Sequence, residues 1–316
     1  MDRYIKYFND HSEYLEYINS QDRILPNVSL CDSQNEVHYN PYIDPRIIVK
    51  YNVTSTSEAT RLYNNTNGVV VTEMMIDGVA LAEVVNQYTF DTTGEHEVRF
   101  TFENVQTVPD SAFKNCPSIV SAIIPDSVTT LGIMAFDNCE ELTDVVIGNG
   151  VTAIGEYTFR TCASLESVKL GNNVTTIGQG VFISCDELKS VGKIGSGASV
   201  EMPDTVTSIG SDCFANDYGL RNVVLPANLT TIDSGAFLFC NRLSDVTIFE
   251  AITSIGENAF RSCSNLDGIT IHATTPPTLG PSAFSSTNDC PIYVPAESVE
   301  AYKTAFNMTD RIEAIS

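Results

Sequence analysis

The chain has 316 residues, and 43% of them are apolar, which excludes an intrinsically disordered chain. Its 17 basic and 40 acidic side chains give a net charge of −23, and both parts of the chain contribute: 7 − 16 = −9 for residues 1–105 and 10 − 24 = −14 for residues 106–316. This balance excludes a large basic surface of the kind that binds nucleic acid or anionic lipid.

The first residues lack the features of a secretion signal. Charged side chains recur every few positions from Met1 to Phe8, so the apolar core and the small-residue cleavage site of a signal peptide are missing. No run of about eighteen apolar residues occurs elsewhere, and we therefore expect no membrane insertion. For an extracellular protein, two explanations stay open: a signal outside this sequence, or another route of export.

Residues 1–48 differ in composition from the rest of the chain. They contain tyrosines at positions 4, 7, 14, 17, 39 and 42, and the first four have the spacing of one face of a helix. Such a segment has little to bury against by itself. We therefore predict that residues 1–48 are a docking or oligomerisation segment that packs on the next domain, on a second copy or on a larger assembly.

Residues 49–104 alternate apolar and polar residues in several short runs, as in Val69–Thr72 and Val98–Phe102. Turn residues such as Asp77-Gly78 separate these runs. The pattern predicts a small antiparallel β domain. Because its last strand runs into the following repeats with almost no linker, we expect this domain to cap their N-terminal edge.

A repeat of 23 residues fills the C-terminal two thirds of the chain. The intervals between its phenylalanines are 23, 23, 23, 32, 23, 23 and 24 residues. In six units a cysteine follows three residues after the phenylalanine, and in most units a Leu or Ile follows three residues later. The repeated phenylalanines are Phe113, Phe136, Phe159, Phe182, Phe214, Phe237, Phe260 and Phe284.

A unit of 23 residues cannot bury its own apolar face, so the copies must stack and share one core. Each unit contains a pattern such as Leu142-x-x-Val145-x-Ile147, which predicts a short strand of a parallel sheet. We therefore predict a solenoid of about eight repeats over residues 105–288. The parallel β-sheet lies on one side, and short helical turns formed by the Ala-Phe-x-x-Cys segments lie on the other.

The period is longer in one place, between Phe182 and Phe214. The additional residues include Lys193, Ile194, Ser196 and Ser199, which we interpret as a loop inserted at the end of one strand. Insertions in a solenoid often lie on its binding face, but a tolerated surface loop is the more frequent explanation. The same unit has Asp217 where six of the units have the repeated cysteine, and it has Cys213 in the small-residue position before the phenylalanine.

The chain contains nine cysteines, and their spacing argues against both zinc and regular disulfides. They recur once per unit, which predicts a buried column along the solenoid in which parallel side chains do not pair. Cys31 and Cys290 lie outside this column and are the candidates for free or paired thiols. The column consists of Cys116, Cys139, Cys162, Cys185, Cys240 and Cys263.

Residues 289–316 are predicted to form a C-terminal cap. A helix from Val299 to Ile312 would cover the last open edge of the solenoid, which otherwise exposes unpaired backbone groups.

The Leu-x-x-Val-x-Ile strands, the Ala-Phe-x-x-Cys segments and the Val-Thr-x-Ile-Gly blocks together resemble the BspA-like leucine-rich repeats of bacterial and protist surface proteins. The resemblance covers about residues 105–316, and the run from Cys290 to Lys303 is similar to the closing segment of such arrays in Bacteroides-type proteins. It implies a leucine-rich repeat solenoid and an extracellular role in adhesion or ligand binding. Residues 1–48 resemble N-terminal segments of repeat proteins of gut Bacteroides and their phages.

We find no pattern that predicts catalysis or a cofactor. The four histidines have no His-x-x-x-His spacing, and no nucleophile elbow, phosphate-binding loop or dinucleotide fingerprint occurs. Acidic pairs such as Glu140-Glu141 and Asp186-Glu187 are interpreted as a solvated edge, with calcium binding as the alternative, although their spacing matches no known calcium loop. We expect no enzymatic activity, no catalytic residue, no metal site and no cofactor.

The remaining candidate site is the outward face of the predicted strands, whose residues vary from repeat to repeat. We expect this face to bind a protein or glycan on a host or bacterial surface, with a homo-oligomer through residues 1–48 as a further expectation. The alternative is a phage or prophage structural or receptor-binding protein that residues 1–48 anchor in the virion. The candidate partner-binding residues are Thr143, Asp144, Val146, Ser167, Lys169, Arg221, Asn222, Val224, Ser244, Asp245 and Thr247.

Overall fold

The computed structural model describes residues 44–66, 68–193 and 202–315, together with the strand backbone of residues 30–31 and 37–38. The predicted segment 1–48 therefore lies almost wholly outside the described residues. Its two short strands, β1 (Leu30–Cys31) and β2 (Val37–His38), pair antiparallel. The division of the chain into four segments stays a prediction.

The N-terminal part of the described chain is an antiparallel sheet, as the alternating runs predict. In its two longest strands, apolar side chains such as Tyr51 and Phe100 point into the core, and Lys50 is exposed. The sheet order is β3-β8-β5-β6, and β4 pairs separately with β7. The strands are β3 (Ile47–Val53), β4 (Thr60–Arg61), β5 (Val71–Ile76), β6 (Val79–Ala80), β7 (Gln87–Tyr88) and β8 (Gly94–Phe102).

The rest of the chain winds into a solenoid in which each coil contributes one longer and one shorter strand. We number the coils 1 to 8 by their phenylalanines, from Phe113 to Phe284. The strands are β9 (Thr107–Val108), β10 (Ile119–Ile124), β11 (Thr130–Leu131), β12 (Asp144–Ile147), β13 (Ala153–Ile154), β14 (Ser167–Leu170), β15 (Thr176–Ile177), β16 (Ser190–Lys193), β17 (Ser208–Ile209), β18 (Asn222–Val224), β19 (Thr231–Ile232), β20 (Asp245–Ile248), β21 (Ser254–Ile255), β22 (Gly268–Ile271), β23 (Thr278–Leu279), β24 (Ile292–Val294) and β25 (Ile312–Ala314).

The shorter strands form one uninterrupted parallel sheet of eight strands, from β9 to β23. The longer strands form two parallel sets, β10-β12-β14-β16 and β18-β20-β22-β24-β25. The inserted residues lie between β16 and β18, so the break falls at the place where the repeat period is longer. The predicted parallel solenoid is confirmed.

The N-terminal sheet continues directly into the first set of longer strands. Strand β3 pairs antiparallel with β10, in a register that places Val49 opposite Ala122. One sheet of eight strands therefore extends from β6 to β16. This pairing covers the edge of β10, which would otherwise expose a row of unpaired backbone groups.

A column of stacked phenylalanine rings runs through the solenoid. From Phe113 to Phe284, successive ring centroids are 4.8–5.8 Å apart and the ring planes differ by 2–19°. The column ends on Phe100 of the N-terminal sheet and on Phe306 of the C-terminal helix. Because every unit places the same ring at the same position, the stack joins all coils into one core.

The segments around these phenylalanines are successive tight turns, where the sequence led us to expect short helical turns. The residues two before and two after each phenylalanine have left-handed backbone, with φ between 54° and 64°. Most of them are not glycine, and Met134 and Tyr157 are bulky examples of a conformation that side chains disfavour. Hydrogen bonds between coils offset this strain, as when the Phe113 N–H donates to the Ala135 carbonyl at 2.7 Å.

Glycine allows the coils to approach closely at the end of the Val-Thr-x-Ile-Gly block. A Cβ atom on Gly155 would lie 2.6 Å from the Leu131 carbonyl oxygen of the preceding coil. On Gly256 it would lie 2.5 Å from the Ser234 backbone nitrogen. No side chain fits at such distances, which explains why this position is glycine in most units.

The C-terminal cap contains a shorter helix than the sequence predicts. Helix α1 (Val299–Phe306) ends because Asn307 adopts the left-handed conformation. The chain then returns as β25, which pairs parallel with β24 where continued helix was expected. The Tyr302 hydroxyl donates to the Ala273 carbonyl at 2.8 Å, and Arg311 donates to carbonyl oxygens of the last coil.

Candidate partner-binding surface

The longer strands present a regular outward surface. In β12 and β14 the apolar residues Val145, Ile147 and Val168 are buried, and the residues between them point outward. We define the long-strand face as this outward side of the longer strands together with the residue that precedes each strand. The parallel register then aligns residues of neighbouring coils in columns, such as Val146 beside Lys169.

The first group of predicted partner-binding residues lies on coils 2 and 3, within the first set of longer strands. Asp144 and Lys169 are exposed, and Val146 is half-buried. The hydroxyls of Thr143 and Ser167 donate to the Asp144 carboxylate at 2.8 and 2.5 Å. These two hydrogen bonds orient the carboxylate toward the outside of the sheet.

The second group lies on coils 5 and 6, beyond the break between the two sets. Val224 is 41% exposed, Arg221 and Asp245 are exposed, and Thr247 is half-buried. The Ser244 hydroxyl donates to the Asp245 carboxylate at 3.0 Å, which repeats the arrangement around Asp144. The backbone of Asn222 lies opposite Asp245 in the parallel register of β18 and β20.

The predicted loop residues fall at the limit of the described chain. Lys193 ends strand β16, opposite Leu170 in register. Ile194, Ser196 and Ser199 lie outside the described residues. Their assignment to a binding loop stays a prediction.

Most described cations of the solenoid are held by acidic residues or by backbone. Lys114 and Arg160 both contact the buried Asp137, and Lys189 contacts Glu166 at 3.0 Å. The guanidinium groups of Arg221 and Arg242 differ, because neither forms an ion pair or hydrogen bond with any side chain that the structure describes.

These two arginines line a polar surface groove with a volume of about 520 Å³. Arg242 lies in the turn of coil 6, and Asn265 occupies the same position one coil later. We shall call this the arginine groove; its lining also includes Ser264, Asp267 and Asn288. Arg221 and Ser244, which also lines the groove, are among the predicted partner-binding residues. The groove as a whole was not predicted, because its residues come from the corner between turn and strand and meet through stacking of coils 5 to 8.

The cysteine column is buried and structural, as its spacing predicts. Each thiol from coil 2 onward donates to the phenylalanine carbonyl of the preceding coil, as Cys162 does to Phe136 at 3.2 Å. Burial raises the pKa of Cys116 to about 12 and those of Cys139 and Cys185 well above the usual thiol range. All eight cysteines whose side chains are described are free thiols, and Cys290 is among them.

Asp217 replaces the thiol in coil 5 and is fully buried. Its Oδ1 accepts a hydrogen bond from the Cys185 N–H at 2.8 Å, and its Oδ2 has no partner among the described residues. Burial raises the pKa of this carboxyl well above its usual range, and Asp186 raises it further. At the equivalent place in other coils a thiol donates to a phenylalanine carbonyl, which is a role that a protonated carboxyl can also fill.

Two histidines on the described chain have structural neighbours. His96 Nδ1 lies 2.7 Å from Asp77 Oδ2 in a turn of the N-terminal sheet. The His272 ring stacks on Phe249 with centroids 5.6 Å apart. Within the ranges given above, no group of three metal-binding side chains converges, and no helix is long and apolar enough to cross a membrane.

Comparison with known proteins agrees with this architecture. A leucine-rich repeat protein of T. pallidum has 21% identity and a TM-score of 0.51, with 66% of this chain and 91% of that chain covered. A leucine-rich cell surface protein of Faecalibacterium prausnitzii has 20% identity and a TM-score of 0.28, with 68% and 84% covered. No curated protein matches the sequence.

The repeats themselves match a family directly. The BspA type leucine-rich repeat region is found in six copies over residues 83–197 and 192–313. These ranges include the N-terminal strand β8, the whole series of stacked phenylalanines and the C-terminal helix. The chain therefore belongs to the BspA type leucine-rich repeat family.

Proposed function

We propose that this protein is a non-enzymatic recognition protein that binds a protein or glycan partner through the long-strand face. The observation that carries the proposal is the contrast within each coil. The inward columns stay apolar from coil to coil, as from Ala122 to Val145 to Val168, whereas the outward columns change in charge and size, as from Asp144 to Ser167 to Ser190. A surface that only stabilised the solenoid would need no such variation.

The proposed location is the cell surface or the extracellular space, where a family of interaction scaffolds meets its partners. A broad face of polar and β-branched side chains fits many weak contacts spread over several coils. The excess of acidic residues favours a partner with basic groups or one bridged by cations. The alternative prediction, a phage or prophage structural or receptor-binding protein that residues 1–48 anchor in the virion, concerns residues that lie almost wholly outside the described part of the chain.

The buried thiols allow a direct test, because buried cysteines of raised pKa do not react with a maleimide in the native state. In a Cys31→Ser background, Val224→Cys introduces one exposed thiol on the long-strand face. Thr207→Cys introduces a matched exposed thiol beside the shorter strands. Each variant is tested for binding to an array of purified surface proteins and oligosaccharides, before and after coupling to maleimide-polyethylene glycol.

We expect coupling at position 224 to weaken binding at least about tenfold and coupling at position 207 to leave it unchanged. Each unlabelled variant serves as its own control for folding. Equal loss of binding at both positions, or loss at position 207 alone, would contradict the proposal.

A further inference from the structure

The arginine groove differs from the equivalent surface of earlier coils. Two columns meet at the corner between turn and strand, and in coils 2 to 4 they carry Glu141, Glu166 and Glu187 against a single cation, Lys189. In coils 5 and 6 the same two columns carry Arg221 and Arg242 and no carboxylate. The net charge of this corner therefore changes sign across the insertion, although the chain as a whole has a net charge of −23.

The two arginines have no side-chain partner among the described residues, which Lys169 of coil 3 also lacks. The other described arginines of the solenoid do have partners: Arg160 contacts Asp137, Arg261 contacts Asn258, and Arg311 contacts carbonyl oxygens. Asp267 lines the same groove, yet no described carboxylate lies within ion-pair distance of either guanidinium. Arg221 and Arg242 lie on adjacent coils, which stack about 4.8 Å apart, and both line this groove. Guanidinium groups bind carboxylates and similar anions through two parallel hydrogen bonds.

The remaining lining of the groove has the chemistry of a sugar site. The side-chain amides of Asn265 and Asn288 both donate and accept hydrogen bonds, and Ser264 offers a hydroxyl. Asp267 can accept from a sugar hydroxyl. The volume of about 520 Å³ lies within the range of small-ligand sites. Every residue that lines the groove is polar or charged, which suits a ligand that carries many hydroxyls beside its carboxylate.

We propose that the arginine groove binds an acidic saccharide, with Arg221 and Arg242 on the carboxylate and the amide and hydroxyl side chains on the ring hydroxyls. The proposal rests on the proposed recognition function and names the class of ligand for one end of the long-strand face. Arg221 belongs to both surfaces, whereas Arg242 and Asn265 belong to the groove alone.

The test measures the dissociation constants of the full chain for two pairs of probes by calorimetry. The first pair is trigalacturonate and its methyl ester, and the second is 3′-sialyllactose and lactose; within each pair the sugars are similar and one lacks the charge. Polyglutamate is measured as well, as an acidic probe without sugar hydroxyls. The variant R221Q/R242Q removes both guanidinium groups. The matched control R261Q removes an exposed arginine of coil 7 that does not line the groove.

We expect at least one acidic probe to bind more tightly than its neutral partner, and more weakly as salt is raised. R221Q/R242Q should lower that affinity at least about tenfold, and R261Q should not change it. The proposal is overturned if neither acidic probe exceeds its neutral partner, if R221Q/R242Q binds as the unmodified protein does, or if polyglutamate binds more tightly than both saccharides. If the label at position 224 still blocks the array partner in such a case, the recognition function stands and the assignment of the groove fails.

Discussion

At the scale of single residues, the solenoid depends on repeated positions that each have one chemical role. The column of thiols satisfies the phenylalanine carbonyls, and the stacked rings fill the space between the sheets. A substitution at one repeated position therefore alters contacts with both adjacent coils. Asp217 is a repeated position with an unpartnered polar atom, and Phe159 is one with a well-packed ring.

We predict that Asp217→Asn raises the free energy of unfolding by about 1–3 kcal/mol at neutral pH, because it removes a buried carboxyl group whose Oδ2 has no partner among the described residues. The amide oxygen can still accept from the Cys185 N–H, and the amide nitrogen supplies the donor that the thiol supplies in other coils. The melting temperature in calorimetry measures the change. Asp245→Asn, at an exposed position, is the control and should shift the melting temperature far less.

The effect of Asp217→Asn should depend on pH in a defined direction. Since the native pKa of Asp217 is raised, the native state holds a proton that the unfolded chain has already released. The native chain therefore loses stability as pH rises from the ordinary carboxyl range toward the raised pKa. The stabilisation by Asp217→Asn should be small near pH 4 and should grow toward neutral pH; a difference that does not vary with pH would contradict a protonated Asp217.

Phe159→Ala tests the packing of the ring column. Its ring is fully buried between Phe136 and Phe182, with centroids 5.5 and 5.8 Å away. We expect a loss of about 3–5 kcal/mol in the free energy of unfolding, measured by denaturant titration. Phe239→Ala, at a side chain that is 40% exposed, should have a much smaller effect. Equal losses for the two variants would exclude the ring column as the main core.

At the scale of elements, the two ends of the solenoid are closed by different means. The N-terminal sheet pairs β3 with β10, and the C-terminal helix and β25 cover the last coil. Arg311 connects this cap to coil 8, because its guanidinium donates to the carbonyl of Cys290 and the hydroxyl of Thr287 at 2.9 Å each.

We predict that Arg311→Ala loosens the cap and lowers the free energy of unfolding by about 1–3 kcal/mol, because it leaves these acceptors without their donor. Hydrogen exchange should accelerate first in the peptide that contains β25. Arg261→Ala changes an exposed arginine of coil 7 and provides the comparison. Unchanged exchange in β25 would show that Arg311 does not hold the cap.

Much of the element structure was predictable because a repeated interior appears as periodicity in the sequence. The 23-residue interval places Val145 and Val168 in one buried column without any knowledge of the fold. The turns were not predictable as such, because left-handed residues like Met134 and Tyr157 are not residue types that signal this backbone. The predicted helix from Val299 to Ile312 was too long, because residues from Ile312 onward form β25 by pairing with β24. Local helix propensity gives no information about that pairing.

The candidate surface was predictable in part, for a related reason. Alternation along each strand identifies outward residues such as Asp144 and Val224. The arginine groove joins Arg221 with Arg242, which are not in equivalent positions of their repeats. Their proximity follows from the stacking of consecutive coils, which is a property of the folded chain.

At the scale of the whole molecule, the solenoid has one continuous core between the sheet of shorter strands and the two sets of longer strands. The shorter strands form an unbroken ladder, whereas the longer strands change partner at the insertion and the corner changes charge there. A partner that spans both sets of longer strands would contact the acidic corner residues of coils 2 to 4 and the free arginines of coils 5 and 6. The central claim is that this partner meets the long-strand face.

The most direct test is hydroxyl-radical footprinting of the protein with and without the partner that the array identifies. Val224 on the long-strand face and Phe239 on the turns are matched reporters, because 41% and 40% of these side chains are exposed. We expect partner binding to protect Val224 from oxidation and to leave the oxidation of Phe239 unchanged. Protection of Phe239 with Val224 unchanged would contradict it and would place the partner on the turns.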